Sequence, residues 1–279
     1  TFMNAFTSSD WTAYPFATQN RKDFGNLLDV YLDAVFFSRL DPLDFAQEGH
    51  RVEFENDDST QPLVFKGVVF NEMKGAMSST PSILWDRLCH ELFPSNTYHF
   101  NSGGDPEHIP DLSYQELRDF YAEHYHPSNA IFLTFGDIRA EAHQQIFEAQ
   151  VLERFEALER KIEVALETPF TTPVQATHPY AVDAEEGTEK KTHLVMGWKL
   201  GESADLTAML EAQLVSSVLM ENSASPLMHY LETTDRGAAP SPLCGLEESM
   251  REMVFCCGIE GSEAEHAEAF EVEVLACIH

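Results

Sequence analysis

The chain has 279 residues, 43% hydrophobic and 23% charged, so it can bury a core and is not expected to be disordered. Its 47 Asp and Glu residues outnumber 17 Lys and Arg residues, which gives a formal net charge of −30. Such a surface repels phosphates and argues against nucleic acid as a partner. Two interpretations of the charge stay open: a solvated surface that aids solubility, or a field that attracts cationic partners, including basic peptides.

The first part of the chain predicts helices and strands in mixed order. Alternation around a turn predicts a hairpin, and a repeat of apolar residues at helical spacing predicts the helix that follows it. Ser113 and Glu116 form a capping box that opens a later helix. In chain order, the predicted elements are a hairpin over 1–17, a helix over 24–36 begun by Asn20 and Asp23, a strand over 52–54, helices over 67–77 and 82–92, a helix from 113 to about 126, a buried strand at AIFLTFG (130–136) and a long helix over 139–165.

A change of composition separates this part from the rest. Prolines, threonines and acids cluster without periodicity from about residue 168 to 189, which is typical of a linker. Beyond it, the pattern predicts a strand at HLVMGWKL (193–200), helices over 205–220 and 226–231, and a buried strand in MVFCCGI. The sequence therefore predicts two α+β units, the second of them incomplete.

Cysteines and termini bear on location. The cysteines show no paired framework and no C-x-x-C spacing, which indicates reduced thiols in a reducing compartment; they are Cys89, Cys244, Cys256, Cys257 and Cys277. No apolar run approaches the length of a membrane span, and no signal-peptide pattern is present, so no membrane partner is expected. The chain begins without Met and within a pattern, and it ends within a stretch of periodic apolar residues, so truncation is expected at both ends. The expected location is a bacterial cytoplasm or an organelle matrix.

Four long stretches carry a family resemblance, in collinear order over nearly the whole chain: TFMNAFTSSDWTAYPFATQNRKDFGNLLDVYLDAVFF, GVVFNEMKGAM, SGGDPEHIPDLSYQELRDFYAEHYHPSNAIFLTFGDI and SPLMHYLETTDRGAAPSPLCGLEESM. Together they resemble the insulinase/pitrilysin family of zinc metallopeptidases, in its presequence-protease branch. The resemblance implies an α+β fold with antiparallel sheets covered by helices, in two related insulinase-type domains. Residues 1–175 would be a catalytic-type domain lacking its N-terminal part, 176–190 a linker, and 191–279 the start of a second, non-catalytic domain.

The resemblance gives Glu72 a role that its local pattern does not. By pattern alone, Glu72 is a carboxylate near a helix N-terminus, where the helix dipole favours negative charge. The family is implied to hold zinc with an H-x-x-E-H motif, whose Glu is the general base, and with a third ligand that corresponds to Glu72. This chain contains no H-x-x-E-H, and His90-Glu91 does not begin an H-E-x-x-H because Pro94 stands at its fifth position. No catalytic residue is therefore expected in the chain, and zinc is expected to bind to it weakly or not at all.

A second implied site is the start of the chain. The resemblance places Asn4, Ala5, Phe6 and Thr7 at the edge of the catalytic sheet, where an extended peptide substrate pairs with the main chain. The alternative is an ordinary strand whose Phe2 and Phe6 are buried.

The implied function is a fragment of a zinc-dependent metalloendopeptidase. The family's oligopeptidases cleave short unfolded peptides in a chamber that, for this chain, the missing C-terminal half of the same polypeptide would close. The chain alone is expected to be inactive. The alternative is a non-catalytic insulinase-like scaffold or partner subunit. Retention of Glu72 within NEMKG favours the enzyme, because a scaffold needs no carboxylate there.

Overall fold

The computed structural model describes residues 1–159, 161–183, 185 and 187–279. In chain order, the elements are β1 (Phe2–Met3), β2 (Phe6–Thr7), β3 (Thr12–Ala13), β4 (Phe16–Ala17), α1 (Arg21–Phe36), α2 (Pro42–Asp44), β5 (Arg51–Phe54), β6 (Leu63–Lys66), α3 (Val68–Ala76), α4 (Thr80–Leu92), α5 (Tyr114–His124), α6 (Ala140–Gln150), β7 (Thr192–Glu202), α7 (Leu206–Met220), α8 (Pro226–Thr233), β8 (Ala239–Pro240), β9 (Gly245–Glu247), β10 (Glu252–Ser262) and α9 (Ala267–Ile278). All strand pairs among the described residues are antiparallel, and the predicted α+β class is confirmed.

The chain divides into two compact units. Unit 1 comprises Thr1–Gly75 and Ser102–Glu163, and unit 2 comprises Ala76–Asn101 and Val164–His279. These two units are defined by contacts among the residues of this chain alone. The predicted division into 1–175, 176–190 and 191–279 concerns domains of the family, and it stays a prediction. The linker-like region 168–189 contains no helix or strand among its described residues, and positions 184 and 186 lie outside them.

Unit 1 begins with the predicted hairpin, in which β1 pairs with β4 and β2 with β3 in one continuous register. Helix α1 starts after Asn20, whose side chain accepts hydrogen bonds from the backbone N–H groups of Lys22 and Asp23 at 3.0 and 3.1 Å, as the capping prediction required. One face of α1 packs against α6 in a buried cluster made of Leu28, Leu32, Phe36, Phe147 and Val151.

Residues 130–136 do not form the predicted buried strand. Phe132 stacks on Phe36, but Ile131 and Leu133 point outward and are 95% and 92% exposed. The prediction is wrong because an apolar run becomes a strand only beside a hydrogen-bonding neighbour, and no described residue provides one here.

The helix predicted over 139–165 is also too long, because α6 ends at Gln150. Val151 leaves helical geometry with φ −123° and is completely buried. Phe155 then packs on the ring of Phe37, with ring centroids 5.5 Å apart. Burial of these side chains requires the chain to turn out of the helix. Position 160 of the predicted helix lies outside the described residues.

Unit 2 is built around β10, which pairs with β7 on one edge and with β8 and β9 on the other. Its side chains alternate between two buried clusters. Cys257 and Ile259 pack with α8 and α9, whereas Val254 and Cys256 pack with α4. A strand buried on both faces has an uninterrupted apolar sequence, which explains MVFCCGI. Burial raises the pKa of the Cys256 thiol to about 12. No helix in the described part of the chain is long and apolar enough to cross a membrane.

Candidate functional site

Glu72 lies in the second turn of α3 and points to solvent. The same helix contributes the half-buried Phe70 and Met73 on another face, and the Phe70 ring lies 6.1 Å from that of Phe65, centroid to centroid. The Glu72 carboxylate makes no hydrogen bond or ion pair with any described residue. Its oxygens are therefore available to a ligand.

A close backbone approach fixes the start of α3. A Cβ placed on Gly67 would lie 2.0 Å from the carbonyl oxygen of Gly49 and 2.9 Å from Cα of His50, so no larger residue fits without movement. Immediately before it, β6 pairs with β5, and Glu53 bridges Lys66 and Arg51 at 2.6 and 2.7 Å. These contacts fix the direction of α3 relative to the β5–β6 strand pair, and they therefore fix the position of Glu72.

At the predicted peptide-binding residues, the outer edge of the hairpin has no strand partner in the described part of the chain. The N–H of Asn4 donates to the carbonyl of Pro15 at 3.1 Å, and that of Ser8 donates to the carbonyl of Trp11 at 2.9 Å. In an antiparallel pair such residues alternate with residues whose main-chain groups point away from the partner strand. Ala5 and Thr7 therefore direct their N–H and carbonyl groups to the outer edge. The Asn4 side chain already accepts the N–H of Ala5 at 2.9 Å.

Two tyrosine contacts hold the hairpin in place. The Tyr31 hydroxyl of α1 lies 3.3 Å from the carbonyl oxygens of both Asn4 and Pro15. The hydroxyls of Tyr14 and Tyr125 are 2.7 Å apart. Burial and the hydrogen bond to Tyr125 raise the pKa of Tyr14, so the phenol keeps its proton and the hydrogen bond persists through the physiological range.

The side chains of the edge residues are exposed. Asn4, Ala5, Phe6 and Thr7 all face solvent. Phe2 and Phe6 are 47% and 46% exposed, so neither is buried as an ordinary strand interpretation expected. The main-chain edge and the aromatic side chains beside it are thus accessible together.

The comparison with known proteins bears on the family. Residues 111–278, more than half of the chain, match the family profile described as Peptidase M16 inactive domain. The chain belongs to the M16 peptidase family. The resemblance drawn from the sequence is thereby confirmed.

Relatives that match this chain in sequence include proteins named mitochondrial presequence protease. That of Danio rerio is 44% identical over 272 residues, covering 96% of this chain and 26% of the relative. Those of Mus musculus and Gibberella zeae are 42% and 39% identical, covering 94% and 93% of this chain and 25% and 26% of the relatives. The chain therefore spans about a quarter of the length of these relatives.

A solved structure shares the fold. A protease from Helicobacter pylori aligns with a TM-score of 0.65 at 18% identity, covering 99% of this chain and 61% of that protein. At this identity the likeness concerns the M16 fold alone.

The described residues do not by themselves fit a catalytic zinc site. Such a zinc takes three protein ligands, and no group of three or more His, Cys, Asp or Glu side chains in the described part of the chain is arranged to hold a metal ion. His90 and Glu91 have other contacts: the His90 ring lies tilted against that of His99 with centroids 3.7 Å apart, and Glu91 pairs with His178 at 2.9 Å. Glu72 would need ligands from outside this chain.

Sequence reasoning missed two residues that support the site. Gly67 had a recognisable signal, because a glycine between a strand and a helix often marks a close backbone approach. Tyr31 had none, because it falls within the repeat of apolar residues that predicts α1. Its hydroxyl is instead directed to the carbonyls of the hairpin.

Proposed function

We propose that this chain is part of a zinc-dependent metalloendopeptidase that cleaves short unfolded peptides. The observation that carries the proposal is Glu72, a carboxylate without a partner among the described residues, held on a positioned helix in an M16-family chain. Relatives 39–44% identical over nearly the whole chain are named presequence proteases, which supports the activity.

Within that enzyme, Glu72 would be the third zinc ligand, and a bound zinc would polarise the scissile carbonyl. Two histidines and a general base would come from an H-x-x-E-H motif outside this chain. The outward carbonyl of Ala5 and the outward N–H and carbonyl of Thr7 would pair with an extended peptide, and such main-chain pairing demands little of the peptide's sequence. The chain alone would be inactive. In the complete enzyme, the C-terminal half of the same polypeptide would close the chamber.

The proposed location is an organelle matrix, since the relatives are named as mitochondrial. Transit peptides are rich in Arg and poor in acids. A chain with net charge −30 would attract such peptides from solution. The field would act on the rate of encounter, while the hairpin edge would hold the bound peptide.

The test uses the longest product of the gene that encodes this chain. We expect Glu72→Gln to abolish stoichiometric zinc binding and to lower peptide cleavage at least about a hundredfold, because the loss of a metal ligand lowers both metal affinity and activity. Glu148→Gln is the matched control, since Glu148 is an exposed helical glutamate of unit 1 without a described partner. Full zinc content and full activity in the Glu72→Gln protein would refute the proposal.

A non-catalytic scaffold or partner subunit is the second candidate. One observation favours it: the matched profile is that of an inactive domain. The coding sequence upstream of Thr1 separates the two candidates. An open frame with H-x-x-E-H supports the peptidase, whereas an open frame with other residues at those positions supports the scaffold.

A further inference from the structure

The β5–β6 strand pair of unit 1 exposes a face made of apolar side chains. Its members are Val52, Phe54, Leu63 and Phe65, which are 53%, 40%, 61% and 47% exposed. The register sets Val52 opposite Phe65, and Phe54 opposite Leu63. Because successive side chains of a strand point to opposite faces, all four lie on the same face, which we call the β5–β6 apolar face.

The charged residues of the two strands lie on the opposite face and pair with one another. Glu53 bridges Arg51 and Lys66 at 2.7 and 2.6 Å, and the Glu53 side chain is only 27% exposed. An antiparallel sheet at a protein surface normally turns its polar face to water and its apolar face to the core. The order is reversed here, and the resulting contiguous apolar surface in water is typical of an interaction site.

The loop that joins the two strands specifies the chemistry of the partner. Glu55, Asp57 and Asp58 are exposed, and no Lys or Arg occurs from 52 to 65. Hydrogen bonds from the N–H and hydroxyl of Thr60 hold the pKa of Asp58 below its usual value, so this carboxylate is charged at neutral pH. An apolar face that ends at three carboxylates complements a partner with apolar side chains on one face and cations beside them.

We propose that the β5–β6 apolar face is a docking surface for basic amphipathic peptides, the class that includes Arg-rich transit peptides. The apolar face of the peptide packs on the four side chains, and its Arg side chains pair with the carboxylates of the loop. Docking requires neither zinc nor cleavage, so the proposal goes beyond the proposed peptidase activity. A second copy of this chain is a poor occupant, because two copies with net charge −30 repel each other.

Fluorescence anisotropy of a labelled synthetic peptide measures docking. The peptide consists of Leu, Ala, Ser and Arg with Leu at helical spacing, and its control has the same composition in scrambled order. With a chelator present to prevent cleavage, we expect the 279-residue chain and the longest product of its gene to bind the amphipathic peptide at least about fivefold more tightly, because only that peptide offers a continuous apolar face. Equal affinities would indicate attraction by net charge alone and would overturn the proposal.

Variants assign the docking to this face. We expect Leu63→Ser to weaken binding of the amphipathic peptide at least about fivefold in both proteins, because an apolar contact is lost. Leu43→Ser is the matched control, since Leu43 is a 78% exposed leucine of unit 1 outside the strand pair, and it is expected to have no effect. Asp57→Asn is expected to weaken binding about two- to threefold at low salt only, because salt screens exposed charges. Asparagine tolerates the left-handed backbone of Asp57, whose φ is 57°.

Three results would contradict the proposal. Unchanged binding in the Leu63→Ser proteins would place the peptide elsewhere. An effect of Leu63→Ser in the 279-residue chain but not in the longer product would show that another segment of the polypeptide covers the face. Dimerisation of the chain that Leu63→Ser abolishes would assign the face to a second copy. Because no cleavage is measured, each result is independent of whether the protein is a peptidase.

Discussion

At the scale of single residues, Glu167 shows how unit 2 secures a carboxylate that is only 4% exposed. The amide and hydroxyl of Ser95 donate to its two oxygens at 2.8 and 2.7 Å, and the amide of Thr168 donates at 2.8 Å. Burial raises the pKa of Glu167, but these hydrogen bonds and the nearby charge of Lys199 outweigh burial and leave the pKa below its usual value. The carboxylate therefore stabilises unit 2 in its charged form.

We expect Glu167→Gln to lower the free energy of unfolding by about 1–3 kcal/mol at pH 7. The substitution replaces one accepting carboxylate oxygen with an amide NH2 group, which donates and would face the donors of Ser95 and Thr168. A depressed folded pKa gives stability that is present above the unfolded value of about 4.3 and is lost as pH falls through the folded pKa. The difference between the two proteins should therefore shrink in acid. Thermal melts from pH 7 to about pH 3 measure it, with Glu211→Gln, at an exposed position of α7, as the control. A difference that is constant with pH would exclude this role of the carboxylate.

At the scale of elements, the junction at Gly67 positions α3 and with it Glu72. We expect Gly67→Ala to lower stability by about 1–3 kcal/mol, because the new Cβ would overlap the Gly49 carbonyl and force the backbone apart. Gly75→Ala in the same helix is the control, since a Cβ there meets nothing within 4 Å. It should be neutral or stabilising by about 0.5–1 kcal/mol, because alanine favours helix. Equal melting temperatures for the two variants would contradict the close approach.

Sequence patterns predicted the elements whose formation depends on residues close to one another in the sequence. The Asn20 cap of α1 and the Ser113–Glu116 capping box of α5 were readable, and both are present. The segment 130–136 was not, because a strand depends on neighbours distant in sequence. The end of α6 depends likewise on the distant contact between Phe155 and Phe37.

The candidate site was predicted to a smaller extent than the fold. Periodicity identified the helix around Glu72 but gave the carboxylate no role, and the role proposed for it came from family resemblance. The direction of the main-chain groups at Ala5 and Thr7 depends on hairpin register, which the structure supplies through the bond between Asn4 and Pro15. Support from Tyr31 is a tertiary contact that no spacing encodes.

At the scale of the whole molecule, the net charge of −30 is the property on which the proposed capture of basic peptides depends. We expect kcat/KM of the longest gene product for a basic peptide to fall severalfold between about 50 and 500 mM salt, because salt screens attraction between exposed charges. An uncharged peptide of equal length is the control and should show little change. Equal salt dependence for both peptides would leave the acidic surface with a solubilising role only.

The central claim is that Glu72 is a zinc ligand of a peptidase, and zinc-edge anomalous diffraction from crystals of the longest gene product tests it most directly. We predict one strong anomalous peak about 2.0–2.2 Å from a carboxylate oxygen of Glu72, the usual distance for zinc bound by a carboxylate. A zinc peak coordinated by other residues, with the Glu72 side chain in solvent, would contradict the claim, as would the lack of any peak in zinc-saturated crystals.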